Sequence, residues 1–202
     1  MSGFSSAERE RIRRDLIEAG SDLFSRLGLE RTRVTDLTDE VGIGTSTFYT
    51  FFDSKGELYL TVLDDEIERL ARSYTDVLRE KADIESEVRA GLEILFEELE
   101  TNPLFYRSVV ENERQQLLRS LAPEKQQQFK EGEDTLLVLA ERWTDHPRFR
   151  IDEPQEVVNV LRMLAQTVRT REAFETLRSV AAYEAARDAL IETLVRGFVE
   201  RA

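Results

Sequence analysis

The sequence contains no cysteine, one histidine, one tryptophan, four prolines and nine glycines in 202 residues. Without cysteine there are no disulfides and no thiolate metal sites, and the lone His146 leaves no imidazole cluster for zinc or for a two-histidine di-iron bundle. Because proline, glycine and β-branched runs are scarce, long Leu/Ala/Glu/Arg segments go uninterrupted, so the chain reads as all-α. No window approaches the ~18 uninterrupted apolar residues that a membrane span needs. The opening stretch MSGFSSAERERIRRDL has no apolar signal region, so a soluble cytoplasmic protein without a membrane partner is expected.

Lysine is the other shortage. Four Lys stand against 24 Arg, and 41 acidic residues bring the formal net charge to −13. An acidic surface repels nucleic acid. In a cytoplasm at molar salt the Debye length falls to ~3 Å, which screens that repulsion and leaves an acidic, lysine-poor surface soluble. An arginine-rich, GC-biased genome explains the Arg/Lys ratio but not the excess of carboxylates. Charge alone leaves two readings open, a chain that avoids DNA and a DNA-binding chain adapted to high salt.

What is present is helical periodicity. From Arg9 to Leu27, Ile12, Leu16, Ala19, Leu23, Phe24 and Leu27 recur at three- and four-residue steps, and Gly28 stands where a left-handed cap belongs. Thr32 is placed to N-cap a short second helix with Val34, Leu37, Thr38 and Val41 on one face, closed by Gly42. After only Gly42-Ile43-Gly44 comes another short amphipathic segment carrying Phe48, Phe51 and Phe52. Two helices on so tight a turn form a helix-turn-helix. Ser54 and Glu57 have the S-x-x-E spacing of a capping box that opens a long helix to about Glu80. Further helices are predicted at 84–100, 103–121, 123–143, 155–170 and 176–201, interrupted by the two-proline loop TDHPRFRIDEP.

In a helix starting near Thr45, residues 48, 51 and 52 fall on one side and Thr45, Ser46, Tyr49 and Thr50 on the other. The second side is polar and uncharged, a set of short donors and acceptors suited to phosphates, base edges and thymine methyls in a major groove. Lys55 sits in the first turn of the next helix, where a cation opposes the macrodipole unless an anion is shared there. A DNA phosphate would be such an anion.

The ordered landmarks LFSRLG, TRVTDLTDEVGIG and TFYTFFDSKGELYLTVL, within Arg9 to about Leu63, resemble the DNA-binding domain of the TetR family of transcriptional regulators. The resemblance implies an all-α homodimer of about nine helices per subunit. A helix-turn-helix domain would occupy residues 1–56, and a C-terminal ligand-binding and dimerisation domain residues 57–202. By position it implies phosphate contacts from Thr32, Tyr49 and Lys55, with Thr45, Ser46, Thr47 and Thr50 at the groove and Phe48 and Phe52 in the core. Arg31 and Arg33 flank the second helix near the DNA backbone. Where many members carry Ser-Lys-Gly this chain has Gly44-Thr45-Ser46, and Thr50 follows the recognition tyrosine. With no Arg, Lys, Asn or Gln on the recognition helix, sequence choice would lean on shape, thymine methyls and water.

The expected function is a sequence-specific regulator, a repressor released from a pseudo-palindromic double-stranded operator by a small apolar or amphipathic effector. The alternative is an all-helical interaction protein of the same fold that has lost specific DNA binding, a reading favoured by 8 basic against 11 acidic side chains in residues 1–60. No enzyme and no cofactor are expected, because the paired carboxylates lie adjacent on helices with no nucleophile and base at a working spacing. Phe96, Phe105, Tyr106, Phe129, Trp143 and Met163 are either an effector pocket or ordinary core, and Arg107 and Arg162 either partners of an anionic effector or surface. Arg9, Arg11, Arg13 and Arg14 make either a minor-groove arm or a solvated helix face. The last two helices carry wide apolar faces and small residues Ala182, Ala185, Ala186 and Ala189, so a four-helix homodimer interface is expected there.

Overall fold

The computed structural model describes residues 4–130 and 135–200. They form twelve α-helical segments: α1 (Ser6–Arg31), α2 (Val34–Val41), α3 (Thr45–Phe48), α4 (Lys55–Arg79), α5 (Ile84–Thr101), α6 (Pro103–Val109), α7 (Glu113–Ser120), α8 (Pro123–Lys130), α9 (Thr135–Thr144), α10 (Pro154–Ala165), α11 (Arg171–Leu177) and α12 (Val180–Phe198). The segments outnumber the nine expected because long predicted helices are broken by local chemistry. The 103–121 stretch splits where Asn112 takes a left-handed φ of 57°, and the end of 155–170 tightens into a 3-10 turn, Gln166–Thr170. In 176–201, Ser179 starts a fresh helix by accepting the Ala182 N–H at 3.1 Å. The 123–143 stretch includes residues 131–134, outside the described set.

α1 begins earlier than its apolar period suggests. Ser5 and Glu8 form a complete capping box, with the Ser5 N–H donating to the Glu8 carboxylate at 2.8 Å and the Glu8 N–H to the Ser5 hydroxyl at 3.3 Å. Gly28, with φ 78° and ψ 168°, breaks the helix, and one more turn runs on to Arg31.

Two hydrophobic cores follow one another along the chain. The first joins Ile12, Leu16, Leu23 and Phe24 of α1 to Leu37, Phe48, Phe52 and the early α4 residues Leu58, Tyr59 and Val62. The second gathers Val88, Leu92 and Phe96 of α5 with Trp143, Phe149, Val157, Leu161 and Val195. α6 serves both: Leu104 belongs to the first core and its neighbour Phe105 to the second. Each large side chain taken from water contributes ~1.5–3 kcal/mol, so α6 is anchored on both sides.

The proline-bearing loop is tied down by backbone pairing: the Arg150 N–H donates to the Phe198 carbonyl at 2.8 Å and the Glu200 N–H to that of Arg148 at 2.9 Å. Trp143 is fully buried against Gly91, where a Cβ would come within 2.6 Å of the indole Cζ2. The indole N–H has no hydrogen-bond partner, the only such buried side-chain polar atom among the described residues. A buried orphan donor of this kind costs ~1–3 kcal/mol. None of the described helices is long and apolar enough to cross a membrane.

Candidate nucleic-acid interface

The turn between α2 and α3 is closed by its glycine. Gly42 is left-handed (φ 73°, ψ 35°), the Ile43 N–H returns to the Thr38 carbonyl at 3.0 Å and the Gly42 N–H to that of Asp39 at 3.3 Å. This doubly bonded exit reverses the chain in one step and launches α3 from Gly44. Phe48 and Phe52 are buried beneath α3 and the turns that continue it. Thr45, Ser46 and Thr50 are exposed, Tyr49 is 53% exposed and Thr47 half-buried. The outward side is the uncharged polar set read from the sequence. The Thr50 hydroxyl donates to the Thr47 carbonyl at 2.7 Å, which fixes its rotamer and leaves its oxygen available to accept.

Arginines of α1 brace this surface. Arg9 stacks over Phe51 at 4.9 Å and Arg13 over Phe52 at 5.4 Å, and Arg9 also donates to the Thr50 carbonyl at 3.4 Å. Alternation with carboxylates masks this role in the sequence; its signal is the four-residue step between the two arginines, matched to two adjacent phenylalanines. Arg33 is exposed at the start of α2, where its backbone N–H donates to the Asp36 carboxylate at 2.8 Å.

Two expected phosphate contacts are placed otherwise. Thr32 is fully buried, and its hydroxyl donates to the Gly28 carbonyl at 2.8 Å. It therefore closes α1 and offers no hydroxyl to a phosphate, and Arg33 takes the position that opens α2. Lys55 donates from Nζ to the carbonyls of Leu29 at 2.6 Å and Thr32 at 2.7 Å. Its charge is thus met by the partial negative charge of the carbonyl end of α1, reached from the start of α4. At that start the capping box is only half as expected: Ser54 accepts the Glu57 N–H at 3.1 Å, while the Glu57 carboxylate reaches past it to the Asp53 N–H at 2.7 Å.

α6 to α8 grip the same region. The Arg107 guanidinium donates to the Phe24 carbonyl and lies 3.4 Å from that of Ser25, so it is neither a surface group nor directed at an interior effector. The Tyr59 hydroxyl donates to Glu113 while its ring meets Phe24 edge-on at 4.9 Å. Burial and the Glu113 carboxylate push the Tyr59 phenol far above its usual range. Lys125 bridges Glu57 at 2.5 Å and Asp53 at 3.0 Å. Arg114 pairs with Asp64 at 2.8 Å, and burial raises that carboxyl despite the guanidinium beside it.

Of the expected pocket residues, Phe96, Phe105 and Trp143 are buried together in the second core, with Tyr106 packed at its edge. Phe129 lies in a separate cluster with Leu60 and Leu118. Met163 is 74% exposed on the outer side of α10 and lines no interior space, because Leu161, Leu164 and Ala165 take the inward positions. Arg162 is exposed on the same helix. An open cleft of about 290 Å³ lies beside Tyr106, lined by Glu100, Asn102, Arg169 and Arg171.

The described residues thus form a helix-turn-helix braced by a preceding helix and followed by a larger helical unit. Residues 16–62 match the family profile described as bacterial regulatory proteins, tetR family. It is 30% identical over 105 residues to the HTH-type transcriptional activator FasR of Mycolicibacterium smegmatis, a match covering 52% of this chain and 48% of FasR. The chain thus spans about half the length of that curated relative. Its fold is shared with E. coli NemR in its reduced form (TM-score 0.63, 15% identity, 94% and 97% of the two chains). It is shared also with the transcriptional regulator FadR of Bacillus subtilis in complex with stearoyl-CoA (TM-score 0.60, 14% identity, 92% and 98%).

Proposed function

We propose that this chain is a homodimeric repressor that binds a pseudo-palindromic operator through α3 and is released by a small apolar or amphipathic effector. One observation carries the reading: the exposed, uncharged polar side of α3 opposite the buried Phe48 and Phe52. Thr45, Ser46, Tyr49 and Thr50 face the duplex, Thr47 borders it, and Arg33 meets a phosphate from the start of α2. Lys55 positions α1 against α4 and turns at most its remaining N–H to the backbone. Repression needs only steric occupancy of the site, whereas activation, the role named for FasR, needs a further surface for the transcription machinery.

The functional division runs near residue 56, with residues 1–56 on DNA and 57–202 on effector and partner. Stearoyl-CoA in the FadR structure shows the kind of amphipathic molecule that one protein of this fold binds. In this chain a ligand entering the second core displaces Phe105, and Arg107 two residues along α6 then pulls on the end of α1. The dimer forms through α10 and α12, where Met163, Ala185 and Ala189 face outward. Two such subunits set two recognition segments on successive major grooves.

The test is in-vitro selection of DNA by the purified chain across roughly 0.1 to 3 M KCl, a range over which screening grows from ordinary to nearly complete. A palindromic consensus is expected, with a shallow salt slope, since few phosphates are neutralised at about 0.9 per contact. Tyr49→Ala should weaken it about tenfold, the equivalent of ~1.4 kcal/mol, without changing the melting temperature. The acidic balance of residues 1–60 favours a second reading, an interaction protein without an operator. That reading forecasts no selected sequence at any salt.

A further inference from the structure

The second core is packed, apolar and complete except at one atom. The Trp143 Nε1–H has no partner, although the residue is fully buried and its ring fills the groove that Gly91 leaves. Buried donors in native structures are almost always paired, so an isolated exception calls for a reason. It belongs to the apolar cluster of Val88, Leu92, Phe96, Val157 and Leu161, with Phe149 at 5.9 Å between ring centroids. The adjacent charges are already spent on each other: Arg142 holds Glu87 through two hydrogen bonds of 2.5 and 2.8 Å.

We propose that the Trp143 indole N–H is the polar anchor of the effector site, and that it takes a neutral, mainly apolar molecule bearing a carbonyl oxygen, such as an ester, amide or lactone. The inference rests on the effector-responsive reading above and adds the ligand's chemistry. A lone donor recognises a lone acceptor, and pairing it recovers the hydrogen bond that the free protein forgoes. An unpaired carboxylate or ammonium is rejected here, because nothing in this core would compensate a buried charge. Binding parts the side chains around the indole, and Phe105 of α6 belongs to that same cluster, so occupancy and the hold on α1 are mechanically joined.

Trp143 is the only tryptophan, so the probe is intrinsic. The full chain is titrated with methyl decanoate, and with decane as a hydrocarbon lacking an acceptor, while tryptophan emission and the indole N–H resonance are followed. The ester should bind saturably, move the indole proton downfield and change the emission; decane should leave the proton where it is. Trp143→Phe keeps most of the bulk and removes the donor. It should lose about tenfold in ester affinity, with a melting temperature equal to or above that of the wild type.

Equal binding of ester and decane, an unmoved indole proton, or full ester affinity in Trp143→Phe overturns the proposal. If Trp143→Phe does not fold, the wild-type resonance decides alone. A protein that selects an operator yet ignores the ester refutes only this inference. One that shifts its indole with ester yet selects no DNA refutes the regulatory reading and leaves the site standing.

Discussion

The ammonium of Lys55 lies 2.6 Å from the carbonyl oxygen of Leu29, so the start of α4 caps the end of α1 across 26 residues of sequence. A second bond to Thr32 completes the clasp, and the helix-turn-helix between them is held at both ends. Hydrogen bonds from a charged donor contribute ~1.5–3 kcal/mol, and a chain of this size loses ~2–4 °C of melting temperature per kcal/mol. Lys55→Met should therefore melt roughly 3–12 °C lower in a thermal scan. A Lys55→Met protein of unchanged melting temperature but weakened DNA binding would instead make the residue a phosphate contact.

Arg107 performs the matching task from α6. Its guanidinium occupies the carbonyls of Phe24 and Ser25, directly beside the break at Gly28. Arg107→Gln should keep the fold, since Leu104 and Phe105 still anchor α6 in the two cores. Amide hydrogen exchange in the last two turns of α1 should quicken, and operator affinity should fall several-fold as the turn loses its support. Unchanged exchange there would remove α6 from the path between effector and DNA.

Gly91 is required by proximity rather than by backbone dihedral. Gly91→Ala would set a Cβ 2.6 Å from the indole of Trp143. Overpacking of this kind costs ~1–3 kcal/mol, so urea unfolding should shift to lower midpoint with the slope unchanged. Trp143→Leu should tolerate Gly91→Ala better than the wild type does, and purely additive effects in that double variant would argue against the contact.

Lys125 gives a pH signature. The Glu57 carboxylate first, and Asp53 second, hold its ammonium above the ordinary lysine value of about 10.4. A raised cationic pKa stabilises the folded state fully below the unfolded value and loses that contribution as pH climbs through the folded one. From about neutral pH to about pH 10, wild type and Lys125→Met should thus differ in stability by a constant amount, and they should converge above it. The buried tyrosines titrate alike in both proteins and cancel from the comparison. A stability gap that persists unchanged to about pH 12 would mean the bridge contributes nothing.

Much of the fold was legible because helices announce themselves locally. The apolar steps in α1, the Gly42 exit and the inward Phe48 and Phe52 all follow from spacing within a turn or two. The outward set Thr45, Ser46, Tyr49 and Thr50 follows from the same geometry. The Ser5–Glu8 box is equally local, a three-residue step that lies ahead of the apolar period. Sequence order also pointed Lys55 to a DNA phosphate, whereas its Nζ donates to the carbonyls of Leu29 and Thr32.

The all-helical class, the helix-turn-helix and the polarity of its outward side are written in the order of residues, since those properties depend on side chains three and four apart. Helix packing alone makes Lys55 and Thr32 close α1, brings Arg107 to Phe24 across 83 residues, and turns Met163 outward while Trp143 keeps a lone donor inside. These are contacts between elements far apart in the chain. A cation or hydroxyl has many acceptors of similar worth, and the packing of α1, α4 and α6 against one another selects among them.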